Sequence, residues 1–83
     1  MQIDYIVCPE IIEEKLARKH HVTLREARQA LLNTPRIRFA EKGYIEGEDV
    51  YAAFAQTFGG RYLAVFFVFK PNENTAIILA YAI

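Results

Sequence analysis

Between Arg18 and Arg38 the chain places eight basic or titratable side chains in 21 positions: Arg18, Lys19, His20, His21, Arg25, Arg28, Arg36 and Arg38. A local patch of this kind can grip phosphate even in a protein without net charge. Cleaving RNA without a metal needs little more. A base takes the 2′-hydroxyl proton, a cation stabilises the charge on the pentacovalent phosphorus, and an acid protonates the leaving oxygen. Lys, Arg, His and Tyr can fill these roles. The plainer reading is that these groups are the solvated faces of two amphipathic helices, with His20 packed against a sheet.

Other chemistry is poorly served. His20 and His21 are adjacent, so on a helix they point about 100° apart and do not readily share one ion. With one cysteine and no paired histidine spacing, neither a zinc site nor a cofactor is expected. Cys8 stands at a helix start, which can lower a thiol pKa, but a nucleophile also needs a base beside it. Gly59-Gly60 joins two strands and opens no helix, so it is no phosphate loop. The acids lie along the first helix and the 41–49 loop, where solvated charge is the ordinary reading.

The elements that must position the basic groups follow from pattern. Ile3 to Val7 reads as a short opening strand. Pro9 suits the first turn of a helix, and Glu10, Glu13 and Glu14 precede Lys15, Arg18 and Lys19 in the order that complements the helix dipole. Ile12, Leu16 and His20 fall on one face, with Ala17 beside them. Thr23-Leu24-Arg25-Glu26 is a capping box, with Val22 and Ala27 placed as a hydrophobic staple. Leu24, Ala27 and Leu31 face inward and Leu32 flanks them. Asn33-Thr34-Pro35 ends this helix. Residues 9–33 therefore form a helical hairpin.

The remainder reads as β: a strand at Arg36–Phe39, a polar loop from Glu41 to Asp49, and strands at 49–58, 61–69 and 75–83. Gly59-Gly60, taken as a two-residue turn, sets Phe58 opposite Arg61, Phe54 opposite Val65 and Ala52 opposite Phe67. One face then carries Val50, Ala52, Phe54, Leu63, Val65, Phe67 and Phe69. The other carries Tyr51, Ala53, Ala55, Thr57, Tyr62, Ala64, Phe66 and Val68. The helices can cover only one of these, and the Phe-rich face is the expected choice. The other is left for a second subunit, a partner or a ligand, or for loops and the N-terminal segment to cover.

With 83 residues, 53% of them hydrophobic and ten Lys+Arg against ten Asp+Glu, the chain reads as a single α+β domain over 1–83, a two-helix hairpin on a twisted antiparallel sheet. The lone cysteine suits a reducing cytoplasm, and neither a signal peptide nor a membrane span is visible. The apolar strand Thr75–Ile83 has no polar tail, so either the sheet locks it throughout or a following segment is missing.

Three segments resemble the BrnT-like toxins of the RelE-like ribonuclease group. Arg18-Lys19-His20-His21-Val22-Thr23-Leu24-Arg25-Glu26-Ala27 is similar to that family's "RKHGV-(T/S)-xEEA". Asn33-Thr34-Pro35-Arg36-Ile37-Arg38 is similar to its "xxPRIR", and Gly60-Arg61-Tyr62-Leu63-Ala64-Val65-Phe66-Phe67 to its "GRYLxVxF". The resemblance implies a RelE-like fold and a metal-independent toxin that cleaves mRNA. It also implies neutralisation by a cognate antitoxin, often of ribbon-helix-helix type, and a toxin that dimerises. Lys19, His20 and Arg61 are then the catalytic candidates, with Tyr81 as a possible addition, and Arg18, Arg36 and Arg38 the RNA-binding ones. Two departures stand out. His21 replaces a Gly, and Ala80-Tyr81-Ala82-Ile83 stands where the family continues into "SARxMTxxERxxY" with a basic helix. That difference opens two further readings: a truncated toxin with residual or no ribonuclease activity, and, as the alternative, a domain without catalysis that dimerises or binds an antitoxin through its exposed sheet face.

Overall fold

The computed structural model describes residues 1–33 and 36–82, the side chains of His20, Tyr81 and Ala82 excepted. The order is β1 (Tyr5–Val7), α1 (Glu10–His20), α2 (Leu24–Leu32), β2 (Arg36–Glu41), β3 (Val50–Gln56), β4 (Tyr62–Lys70) and β5 (Thr75–Ala82). The strands form one sheet in the order β1-β5-β4-β3-β2, with both helices on one face. This is an α+β fold with the expected helices-on-sheet layout. The assignment of Thr34-Pro35 as the stop of α2 lies outside the described residues.

The expectation of a purely antiparallel sheet needs correction. β2 to β5 form an antiparallel meander, but β1 joins β5 in parallel, Ile6 beside Ala76. The helical hairpin carries the chain from β1 across the sheet to its far edge at β2. The meander then returns strand by strand, so β5 arrives beside β1 running the same way.

α1 begins after Pro9, whose carbonyl accepts from the amides of Ile12 and Glu13 at 3.0 Å each. It ends at His21 in the left-handed conformation, φ 53°. That is the position glycine favours after a helix, and here an imidazole residue holds it. α2 starts from the capping box: the Glu26 amide donates to Thr23 Oγ1 at 3.1 Å, and the Thr23 amide donates to Glu26 Oε1 at 3.2 Å. Val22 and Ala27, the staple pair, are both fully buried.

The β3–β4 register also differs from expectation. Gly60 alone of the glycine pair has a positive φ, 91°, whereas a two-residue primed turn with Gly-Gly in both places asks for two. The Gly60 amide donates to the Thr57 carbonyl at 3.0 Å, and the Thr57 amide to the Arg61 carbonyl at 2.8 Å. Phe58 therefore belongs to a three-residue loop. The pairing becomes Phe54 with Ala64, Ala53 with Val65 and Ala52 with Phe66. A one-residue slip exchanges the faces of a strand. Tyr51, Ala53 and Ala55 lie under the helices with Leu63, Val65, Phe67 and Phe69, while Val50, Ala52 and Phe54 turn to the open side with Tyr62, Ala64, Phe66 and Val68. The Phe-rich half contributed by β4 is covered as anticipated.

The core lies between the helices and this covered face. Leu16, Val22, Ala27, Ala30 and Leu31 meet Ala53, Leu63, Val65, Phe67, Ala76 and Ile78. Alanines on α2 and β3 let the two elements approach closely. Tyr51 stacks on Phe67 with ring centres 6.0 Å apart, and Phe39 meets Tyr51 edge-on at 6.1 Å. Among the described residues no helix is long and apolar enough to cross a membrane.

Candidate functional site

The α1–α2 junction is where the sequence's basic groups meet the sheet. Arg61 enters just before β4 and reaches over to the helices. Its Nη1 donates to the His21 carbonyl at 3.0 Å and to both Glu26 oxygens, at 3.1 and 3.0 Å. The carbonyl it caps is one that the end of α1 leaves unsatisfied. Glu26 thus closes the capping box and holds the guanidinium at once. The pair is only partly shielded, the arginine side chain 36% and the glutamate 23% exposed.

Lys19 lies on the last turn of α1, two positions before that carbonyl, and Arg18 precedes it; both are exposed. Among the described residues neither has an ion-pair partner within 4.0 Å. His20 ends α1 in the backbone, and its expected catalytic side chain lies outside the described residues, as does that of Tyr81. The junction therefore offers one ion-paired guanidinium and, on the adjoining helical turn, an unpaired ammonium.

Arg36 and Arg38 are elsewhere. They pair in register with Phe54 and Ala52, so they stand on the open face of the sheet, away from the helices. Arg36, Phe54 and Tyr62 line a shallow groove of about 470 Å³ there. The six candidate residues accordingly split into a junction group and a sheet-face group. Arg25 and Arg28 border a further groove with Leu24, Leu32 and Phe58.

Sequence reasoning missed two features. Glu26 was legible as a cap but not as the partner of Arg61, 35 positions away. Phe54 is the neighbour of Arg36 through the β2–β3 register, which sequence reasoning did not assign, and Tyr62 joins them through the β3–β4 register, which depends on the length of the Phe58–Gly60 loop. Cys8 departs from expectation as well. Burial pushes its thiol pKa up, and the carboxylate of Glu13 adds to this. Among the described residues no three His, Cys, Asp or Glu side chains are grouped to hold a metal ion.

No protein-family model, curated protein or solved structure matches the chain.

Proposed function

We propose that the chain is the toxin component of a type II toxin–antitoxin system, a BrnT-like domain that acts on mRNA and is held by an antitoxin. The observation that carries this reading is the Arg61 junction. Two of the three segments that resemble the toxin family, 18–27 and 60–67, meet there through Arg61, His21 and Glu26. In the catalytic form of the reading, phosphate displaces Glu26 from Arg61. Arg61 and Lys19 then stabilise the charge that develops on phosphorus, and His20 exchanges protons.

Cleavage of a structured mRNA in EDTA tests this. The wild-type chain should cut, while Lys19→Ala and Arg61→Ala should fold and lose most of the activity. Variants that cut as fast as wild type would remove these residues from the machinery.

A second reading has its own observation. The open sheet face carries Phe54 at 45% and Tyr62 at 71% exposure, and Arg61 is already engaged by a carboxylate. Both favour a domain that works by binding a protein through that face, with no cleavage. Intact RNA in the same assay, together with antitoxin binding lost on Phe54→Glu, is the outcome that selects it.

A further inference from the structure

The sheet ends at β1 on one side and at β2 on the other. β1 has three residues, whereas β2 has six. Among the described residues no backbone hydrogen bond beyond the β3 ladder reaches Arg36–Glu41, so the outer side of β2 is open. The pairing with β3 is regular from Arg36 to Phe39 and shifts only between Phe39 and Glu41. Every second residue of an edge strand turns its amide and carbonyl outward, so this stretch is a template for one more strand. Its side chains alternate. Arg36 and Arg38 rise on the open side beside Phe54 and Ala52, and neither has an ion-pair partner among the described residues. Ile37 and Phe39 turn to the helical side, where they border a groove of about 650 Å³ with Leu31, Leu32 and Met1. Phe39 is 60% and Leu32 62% exposed, so this apolar groove is uncovered.

We infer that the outer edge of β2 takes an extended peptide segment of a protein partner, one that alternates acidic and apolar side chains. The inference goes beyond both readings above, since it needs neither RNA cleavage nor a partner lying on the face of the sheet. An added strand lies about 4.8 Å outside β2, and its side chains alternate in step with those of its neighbour. Residues on the open side come level with Arg36 and Arg38, where carboxylates pair with the guanidinium groups. Residues on the helical side come level with Ile37 and Phe39 and fill the groove beside Leu32. A second copy of β2 is a poor occupant. Paired antiparallel over this stretch, with its helices on the same side, it sets the two arginines against the same two arginines, and like charges directly opposite destabilise a pair. An RNA strand would use the arginines but leave the apolar groove and the outward carbonyls unused.

The probe is a blocked, fluorescein-labelled octapeptide of alternating valine and glutamate, titrated with the full chain and read by anisotropy. It should bind wild type with a dissociation constant of about 0.1 mM or tighter. The same peptide with lysine in place of glutamate should bind at least about tenfold more weakly. Arg36→Glu/Arg38→Glu, with folding checked by circular dichroism, should invert that preference. In wild type, bound peptide should slow exchange of the outward amides among residues 36–39. No binding of the valine–glutamate peptide at about 1 mM chain overturns the inference. So does a charge reversal that leaves the preference unchanged, or slowed exchange confined to other strands. A ten-nucleotide RNA that binds through Arg36 and Arg38 while the peptide does not would assign the edge to phosphate. Slowed exchange at 36–39 that grows with the concentration of the chain alone would assign it to a second copy, and either result also overturns the inference. The two readings above stand or fall separately, in the EDTA cleavage assay and with Phe54→Glu.

Discussion

The two faces of one sheet are built from nearly the same residue types, yet they differ in what covers them. Phe67 on the helical side is fully buried, and Phe54, one strand away on the other side, is 45% exposed. Composition alone does not separate the faces. What separates them is which one the helical hairpin reaches, and that is set by the alternation of β4 and by Val22, Ala27 and Leu31 on the helices. The covered face is a folding device. The open one retains apolar surface and two arginines that the fold does not consume.

Substitutions sharpen the contrast. The largest effect is expected at Phe67→Ala, which empties a site in the covered core and should cost about 3–5 kcal/mol in urea unfolding. The matching change Phe54→Ala should cost under about 1 kcal/mol. Equal costs would mean that the open face is as well packed as the core, and the distinction would collapse. Next comes Gly43→Ala. A Cβ there would overlap the Glu48 carbonyl in the loop that borders the open face. A loss of about 1–3 kcal/mol is expected, as for other overpacked sites, and amide exchange should quicken at Gly43 and Glu48. If exchange is unchanged, the loop does not hold its place by this close approach.

Arg61→Ala follows, at about 1 kcal/mol once solvent screening of a partly exposed pair is allowed for, and the loss should shrink as salt is raised. A salt-independent loss would assign Arg61 to packing instead of charge. The smallest effect concerns Cys8 at the margin of the covered core. Its thiol pKa is raised by burial, so the native chain holds that proton more firmly than the unfolded chain does. Stability from this group is fully present below the ordinary value near 9.0 and declines as pH rises through the folded one. Alkylation at pH 8 should therefore run slower than for a free thiol, and a faster rate would contradict the raised value.

Much of this architecture was legible in local pattern. The capping box of α2, the staple and the existence of the four meander strands rest on neighbours in sequence, although β2 runs on to Glu41, which pattern placed in the loop, and β3 stops at Gln56, short of Phe58. The register between β3 and β4 was not legible in the same way. Gly59-Gly60 is compatible with two turn lengths, and the choice depends on whether Phe58 lies in a strand or in a loop. The parallel entry of β1 depends on contacts at the opposite end of the chain. At the junction, the residue types that bind phosphate were plain, but Arg61 meeting Glu26 is a tertiary event with no local signature.

The parallel seat of β1 has a kinetic consequence. The strand has three residues, and the bond from Asn74 Nδ2 to Asp4 Oδ2 that helps seat it closes a separation of 70 positions. Joining ends so far apart costs loop entropy before any contact repays it, so this strand should dock after the meander has formed. By the same reasoning it should be among the first parts of the sheet to lift in native-state fluctuations. Each such opening bares the edge of β5 and loosens Ile3 and Ile6 from the core, leaving a briefly unpaired strand of Ala76, Ile77 and Ile78 that is suited to pairing with another chain.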